Sequence, residues 1–435
     1  MGDNQTILLL FGLLLIFVLL RMPIGVSLIG IAFVGIWEVL GWRVAWGTLG
    51  TVPYQFAASW VLSSVPTFLF MGFICYHGRL TQGLFEAGRV WLSALPGGLA
   101  VASVFGCAGF AAVTGSSLAC SAAMGKVAVP EMTKNNYDIE LATGTVAAAG
   151  TIGALIPPSI LLIIYGIIAQ VSINGLFLGG IVAGLLTAFA YVMVIIIRVK
   201  LNPALAPSVH DSIQPGERWR ALYNTWPVIL IVLGVFGGLF SGVFTPTEAG
   251  AIGAFLSCLV SWFKGTLTLS VLRLSARETL ITTSSLLIIA IGASLLTRFL
   301  ALSGLGDLLL DAVMSLGLPP AAIMVGIVVV YLLLGMILEP IGAMMLTLPI
   351  VMPIVDEAGY SLLWFGVLLA KVLEVGMITP PVGMNVYVIK SVVGKLATTT
   401  MIFRGVFWFV VVDLFILGLL IAVPDLVLFL PGILN

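Results

Sequence analysis

The sequence predicts an all-α polytopic membrane protein made of two inverted-topology repeats, each with a re-entrant helical hairpin and a discontinuous helix. Three observations predict this fold: an apolar composition, a register that joins the two halves, and an uneven distribution of positive charge. Of 435 residues, 61% are hydrophobic and only 8% are charged, whereas about a quarter of an ordinary soluble domain is charged. At about 20 apolar residues per crossing, the chain has length for on the order of a dozen passes. A water-soluble globule is therefore excluded.

Charge balance and motifs exclude several functions. The 18 Lys and Arg residues balance 18 Asp and Glu residues, which leaves no basic excess for nucleic acid. The sequence has no His-Glu-x-x-His, no Gly-x-Ser-x-Gly and no phosphate-binding loop, so neither an enzyme nor an ATP-driven pump is expected. The four cysteines lie in apolar stretches without metal-ligand spacing and are interpreted as small buried side chains.

The two halves of the chain match each other at an offset of 223 residues without a gap. Proline pairs carry this match because the chain has only 21 prolines, and four of them have a mate in the other half. The matching positions are Gly83 with Gly306, Pro96 with Pro319, Pro130 with Pro353, Gly153 with Gly376, and Pro157-Pro158 with Pro380-Pro381. This register predicts an internal duplication.

Lysine and arginine collect in alternate loops, and these residues favour the cytoplasmic side. Basic segments at 198–220, 264–277 and 390–404 are predicted to lie inside, and the loops between them carry acids without bases. The apolar run 95–130 then begins and ends inside, whereas its mate 318–355 begins and ends outside. Each run is therefore predicted to be a re-entrant hairpin, dipping in from opposite faces. Both chain termini are predicted to be periplasmic.

The predicted organisation follows from these assignments. The hairpin tips fall at Gly115-Ser116-Ser117 and Glu339-Pro340, and the first apolar run, 6–20, is expected to be a retained helix. The predicted segments are N-terminal scaffold helices at 1–60, a first repeat at 61–199 with hairpin 95–130 and broken helix 140–169, a cytoplasmic linker at 200–220, scaffold helices at 221–278, a second repeat at 279–422 with hairpin 318–355 and broken helix 362–390, and a C-terminal tail at 423–435.

Four interruptions of the predicted helices carry the candidate chemistry: the two tips and the two Pro-Pro segments. Irregular backbone at membrane depth is tolerated only where it is buried in protein or lines a watery cavity. Free carbonyls and hydroxyls at such interruptions suit a small hard cation such as Na⁺, and helix N-termini suit an anionic substrate group. The alternative is that Pro-Pro only kinks a helix for packing and that Ser116 and Ser117 satisfy local backbone.

Charged residues in and between the apolar runs each have an interpretation of their own. Glu339 is either a cation ligand or gate residue, or an acid facing vestibule water. Lys371 and Glu374 are three apart on one helix and are interpreted as an ion pair. Arg298 either snorkels to the interface or contacts an anion. Thr245-Pro246-Thr247-Glu248 is typical of a helix-capping box.

The same motifs resemble a known family. Gly115-Ser116-Ser117, Pro130-Glu131-Met132 and Ile156-Pro157-Pro158-Ser159-Ile160 resemble the first half of the large membrane subunit of tripartite ATP-independent periplasmic (TRAP) transporters. Resemblance to the second half rests on Phe244-Thr245-Pro246-Thr247-Glu248-Ala249, Gly335-Met336-Ile337-Leu338-Glu339 and Thr379-Pro380-Pro381-Val382-Gly383-Met384-Asn385. One departure is Glu339, where the family often has Asp.

The resemblance implies an elevator-type importer in a bacterial inner membrane. It would be driven by Na⁺ and take organic acids from a periplasmic substrate-binding protein, beside a small membrane subunit of about four helices. The implied Na⁺ ligands are Ser116, Ser117, Gly153, Glu339, Gly376, Thr379 and Gly383. The implied substrate contacts are Ser116, Ser117, Pro157, Ser159, Thr379, Pro380 and Asn385. A stand-alone Na⁺/carboxylate symporter of related architecture and a passive channel are the alternative functions.

Overall fold

The computed structural model describes residues 12–13, 17, 22–207 and 216–434, and the regular elements of these residues are helices. Most of the predicted helix 6–20 and part of the polar linker, 208–215, lie outside the described residues. Five described helices are long and apolar enough to cross a membrane, and a bent pair at 217–240 makes a sixth. The all-α prediction is confirmed.

The α-helices are numbered here in chain order. They are α1 Ile24–Leu40, α2 Trp42–Ala57, α3 Ser64–His77, α4 Gln82–Leu92, α5 Gly98–Thr114, α6 Ser117–Lys134, α7 Ile139–Gly150, α8 Ile160–Ala169, α9 Ile173–Leu201, α10 Glu217–Tyr223, α11 Trp226–Phe240, α12 Pro246–Phe263, α13 Leu269–Ser303, α14 Leu305–Met314, α15 Pro320–Gly335, α16 Pro340–Glu357, α17 Leu362–Gly376, α18 Met384–Val393, α19 Thr399–Ala422 and α20 Asp425–Leu434.

Helix boundaries repeat in the register that the sequence predicts. Adding 223 to the bounds of α6 gives those of α16, and the same shift carries α1, α5 and α7–α9 to within a few residues of α12, α15 and α17–α19. The mate of α13 is divided between α2 and α3, because residues 58–63 interrupt the first repeat. α13 also runs without interruption across residue 278, where the sequence placed the start of the second repeat.

The repeats exchange helices across their interface. α1 packs against α13 and α12 packs against α3, so each repeat covers the first helix of the other. Likewise α6 packs on α18 and α16 on α8, and α7 packs on α19 and α9 on α17. In each case, a helix of one half contacts a helix of the other half, and the two equivalent helices make the same contact in reverse. Reciprocal contacts of this kind indicate a two-fold relation between the halves. The duplication is therefore expressed in the packing as well as in the sequence.

Both hairpins are helix-break-helix units. The first joins α5 to α6 through Gly115 and Ser116, and the second joins α15 to α16 through residues 336–339. The second arms begin at equivalent positions: the Ser116 side chain accepts a hydrogen bond from the Ala119 N–H, and the Glu339 side chain accepts one from the Gly342 N–H. Side-chain caps of this kind satisfy amide groups that a helix start leaves free.

Two local features of the structure are the start of α12 and the bend before α11. The capping box at Thr245 is confirmed, since the Thr245 hydroxyl accepts from the Glu248 N–H while the Glu248 carboxylate accepts from the Thr245 N–H. At the start of the predicted scaffold helices, 221–278, the structure has a bent helix pair. The chain bends by 43° between α10 and α11, at Asn224 and Thr225.

Candidate functional site

The tips of both hairpins line one cavity of about 270 Å³. We call it the central cavity. Residues 114–119 of the first hairpin and 339–341 of the second form part of its wall. The remaining wall comes chiefly from α3, α8, α13 and α17, including Tyr76, Thr282 and Glu374. The sequence predicted two hairpins, and the structure brings their tips together at this cavity.

The first tip is held against the Pro-Pro break by close backbone contact. Gly115 has a left-handed backbone, with φ of 61°, and a Cβ there would overlap the Pro158 carbonyl oxygen. A Cβ on Gly153 would lie 2.9 Å from the Ser116 carbonyl oxygen. Glycine at both positions therefore lets two irregular segments approach with no side chain between them. This is the predicted proximity of the tip to the broken helix.

The second half has the equivalent close approach at a different point. A Cβ on Gly376 would lie 3.0 Å from the Gly335 carbonyl oxygen, so the end of α17 lies directly against the end of α15. Glu339 then caps α16, with Oε2 accepting from the Gly342 N–H at 3.0 Å. Its side chain forms part of the cavity wall. Glu339 and the first hairpin tip therefore line the same cavity.

Only part of the predicted residue set converges on the cavity. Ser116, Ser117 and Glu339 line it. Gly153 and Gly376 do not line it, but each packs against the backbone of a hairpin. Other predicted residues are engaged elsewhere. Ser159 donates to the Ala154 carbonyl at 2.6 Å, Thr379 donates to the Val375 carbonyl at 2.6 Å, Asn385 donates weakly to the Ala147 carbonyl at 3.5 Å, Pro157 and Gly383 are buried off the cavity, and Pro380 is exposed.

The predicted ion pair between Lys371 and Glu374 is wrong. The Lys371 ammonium contacts Asp413 Oδ1 on α19 at 2.5 Å, and the Tyr191 hydroxyl of α9 donates to Asp413 Oδ2 at 2.6 Å. Lys371 and Asp413 are both 0% exposed. Because α19 packs beside this part of α17, the lysine reaches an acid on another helix and not its sequence neighbour. Lys371, Asp413 and Tyr191 together connect three helices, α17, α19 and α9, in the buried interior.

Glu374 is the cavity residue that the sequence interpretation missed as a site residue. It is 1% exposed, it lines the cavity, and its Oε1 accepts from the Ser117 hydroxyl at 3.1 Å. Its Oε2 has no hydrogen-bond partner in the described structure. Asp413 was the available signal, because a lone acid inside the apolar run 404–422 needs a buried cation. Assigning Lys371 to it would have left Glu374 unpaired.

Two further polar cavities lie near the two ends of α13. One of about 470 Å³ includes His77, Arg79 and Lys126, and His77 contacts Glu278 of α13 at 3.0 Å. The other, of about 690 Å³, includes Gln55, Gln170 and Arg298. Residues 278 and 298 of α13 are separated by about 30 Å along the helix. We call these the basic cavity and the Arg298 cavity.

The central cavity has a lining residue in common with one of these two spaces. It shares Tyr76 with the basic cavity. Toward the Arg298 cavity, apolar side chains fill the space and leave only about 10 Å³. We call this packing the apolar plug, and its principal side chains are Phe56, Leu62, Val65, Ile164 and Met345. These side chains lie between the hairpin tips and the Arg298 cavity.

The donor set at the central cavity fits a small hard cation. It offers a hydroxyl from Ser117, the carboxylates of Glu339 and Glu374, and irregular backbone at the first tip. Oxygen ligands of this kind suit alkali and alkaline-earth ions. In the described residues, no three His, Cys, Asp or Glu side chains converge as a transition-metal site would require. The residues present therefore fit Na⁺ better than a transition metal.

Paired hairpin tips at a partly polar cavity, inside an apolar helical protein, define a membrane permease. The chain belongs to the family of tripartite ATP-independent periplasmic transporters, as the DctM component, whose family model matches residues 11–426. It is a multi-pass membrane protein of a transporter family and not an enzyme. The resemblance carried by the sequence motifs is confirmed.

Relatives agree with this assignment over most of the chain. The chain is 31% identical over 407 residues to the C4-dicarboxylate TRAP transporter large permease protein DctM of Vibrio cholerae, covering 87% of each. It is 30% identical over 419 residues to the sialic acid TRAP transporter large permease protein SiaM of the same organism, covering 94% of this chain and 95% of that one. Its fold is similar to the YdaH transporter of Alcanivorax borkumensis, with a TM-score of 0.66 at 16% identity over 89% of both chains.

Proposed function

We propose that this chain is the large membrane subunit of a Na⁺-coupled importer of organic acids in a bacterial inner membrane. The observation that carries the proposal is the central cavity, where both hairpin tips meet a hydroxyl and two carboxylates. When bound, Na⁺ would supply the positive charge that an organic acid needs in order to enter an apolar protein. Ser116, Ser117 and Glu374 hold oxygens there, and the start of α6 presents its amide end to the same space.

An anionic substrate is supported by the space next to the central cavity. The basic cavity has Arg79 and Lys126 on its wall and contains no Asp or Glu among its lining residues. Because it adjoins the central cavity at Tyr76, a carboxylate leaving the hairpin tips meets positive charge. By the Lys and Arg distribution this side is cytoplasmic, so the basic cavity would be the exit for an imported acid.

Alternating access is supported by the apolar plug. Closure on the Arg298 side, with the basic cavity adjoining on the other, is the arrangement expected of an inward-facing state. An elevator movement would carry the hairpins and broken helices past α1, α3, α12 and α13 until the plug opens. The Arg298 cavity would then receive the substrate from the periplasmic side.

The family name indicates three components, and the V. cholerae relatives are named large permeases. We propose that this chain works with a small membrane subunit of about four helices and with a periplasmic substrate-binding protein. The orientation from the Lys and Arg distribution places both termini in the periplasm. C4-dicarboxylates and sialic acid, named for the relatives, define the carboxylate class to test first.

Uptake into proteoliposomes tests this function. The chain is reconstituted with the small subunit, and labelled carboxylates are offered with and without the binding protein, in Na⁺ or in choline. We expect saturable uptake that requires both the binding protein and a Na⁺ gradient. Uptake by this chain alone would instead indicate a stand-alone symporter. Flux without saturation or Na⁺ dependence would indicate a channel.

A further inference from the structure

We propose that Glu374 is a direct ligand of the coupling cation, bound between α17 and the tip of the first hairpin together with Ser117. The proposal rests on the Na⁺ coupling of the proposed function, and it assigns the carboxylate of the site to α17. The sequence resemblance pointed instead to Glu339 as the acidic ligand. Three observations on the charges around the central cavity support Glu374.

The first observation is that Glu374 has no cationic partner among the described residues. Lys371, the buried cation on its own helix, is held by Asp413 at 2.5 Å. Tyr191 donates to the second oxygen of Asp413 at 2.6 Å, so that carboxylate is fully engaged. Lys371 and Asp413 therefore form a neutral unit, and Glu374 is left as an uncompensated buried carboxylate. Such a group is costly unless it binds a cation or is neutralised.

The second observation separates Glu374 from the other cavity acid. Glu339 lies at the start of α16, where its Oε2 accepts from the Gly342 N–H at 3.0 Å. The positive end of a helix stabilises a carboxylate at this position without any bound ion. Glu374 lies in the last turn of α17, where the helix end is negative and offers no free amide. Of the two acids, Glu374 is the one that needs a cation.

The third observation is the orientation of Ser117. Its hydroxyl donates its single proton to Glu374 Oε1 at 3.1 Å, which leaves the lone pairs of Ser117 Oγ available as ligands. Glu374 Oε2 is unpartnered on the same side chain. A cation beside this contact would have a carboxylate and a hydroxyl as two of its ligands. It would also tie the first repeat to the second, because Ser117 lies on α6 and Glu374 on α17.

Glu374→Gln tests the proposal, because glutamine keeps the size of the side chain and can still accept from Ser117. Thermal unfolding of the purified full chain is followed in choline chloride and in increasing NaCl at constant ionic strength. We expect NaCl to raise the unfolding midpoint of the wild type. In the variant, the midpoint in choline should be at least as high as in the wild type, since the variant has no buried carboxylate that must be compensated or neutralised. The NaCl concentration for half of the shift should rise at least about tenfold.

Matched variants make the outcome decisive. Glu357→Gln makes the same chemical change at an exposed end of α16 and should follow the wild type. Glu374→Asp keeps the charge and should retain the NaCl response with a weaker apparent affinity, and this variant also serves if Glu374→Gln does not fold. A wild-type NaCl response in Glu374→Gln, or in Glu374→Asp if that is the only folded variant, would overturn the proposal while leaving Na⁺ coupling intact. A wild type with neither a NaCl response nor Na⁺-dependent uptake would overturn both.

Discussion

Neutralising Asp413 should destabilise the protein by about 3–5 kcal/mol, because it would leave the buried Lys371 ammonium without its partner. The two side chains are both 0% exposed, and their atoms Nζ and Oδ1 are 2.5 Å apart. In Asp413→Asn the amide oxygen still accepts a hydrogen bond, so the change isolates the lost charge. The remaining favourable contact of Lys371 is the ring of Tyr191, whose centroid is 5.6 Å from Nζ.

The magnitude can be separated from general core damage by a double-mutant cycle. Lys371→Met should destabilise by a similar amount, since it leaves Asp413 buried and charged with only Tyr191 as a donor. The double variant removes both charges with little change in volume, and removing a whole buried pair is often close to neutral. The coupling energy should therefore be at least about 2 kcal/mol. Tyr191→Phe is the matched control and should lose about 1–3 kcal/mol for one hydrogen bond to a charged group.

Equilibrium unfolding in mixed micelles, followed by tryptophan fluorescence, gives the four free energies of this cycle. Additive losses in the double variant would contradict the buried-pair interpretation. Because neither Lys371 nor Asp413 lines the central cavity and the pair is neutral as a whole, the double variant should also keep the wild-type NaCl shift. Loss of that shift would mean that Lys371 acts in the cation site.

Three other outcomes are expected. Gly115→Ala should abolish uptake while the protein still inserts, since a Cβ there overlaps the Pro158 carbonyl and forces the first tip away from the cavity; uptake within twofold of wild type would contradict the packing. Single-cysteine labelling of a cysteine-free protein should reach position 134 only from the cytoplasm and position 356 only from the periplasm, and the reverse would refute the predicted orientation. Glu339→Gln should lower transport less than Glu374→Gln at equal expression, because Gln can still cap α16; a larger loss than in Glu374→Gln would return the main ligand role to Glu339.

Much of the fold was predictable because proline and glycine mark its interruptions. The 223-residue register located both hairpins to within a few residues, since Pro96 and Pro319 precede the first arms and Pro130 and Pro353 lie in the second arms. The bend between α10 and α11 was not predicted, although Pro227 at the start of α11 is a helix-start signal that could have located it. The division of the first repeat into α2 and α3 left no strong sequence signal.

The candidate site was predictable only in part, because three-dimensional pairing decides it. Ser116 and Ser117 were located correctly at the cavity by their tip motif. Lys371 and Glu374 were paired by their spacing on one helix, but Asp413 lies 42 residues after Lys371 and takes the lysine. The spacing of residues along one helix shows which of its side chains can pair with each other. It does not show whether a side chain on another helix lies closer. The sequence also does not identify the residues of the apolar plug, since each is an ordinary membrane-helix side chain.

The exchange of helices between repeats has a consequence for synthesis in the cell. α1 packs against α13, and α3 packs against α12. The ribosome therefore makes the partners of α1 and α3 roughly 200 residues after these two helices. At about 5–20 residues per second, α1 and α3 wait on the order of 10–50 seconds in the membrane with their packing faces uncovered. During that interval lipids or other membrane proteins must cover those faces. Neither half is therefore an independent folding unit, and ribosome stalling between the repeats would leave a half-protein for membrane quality control to remove.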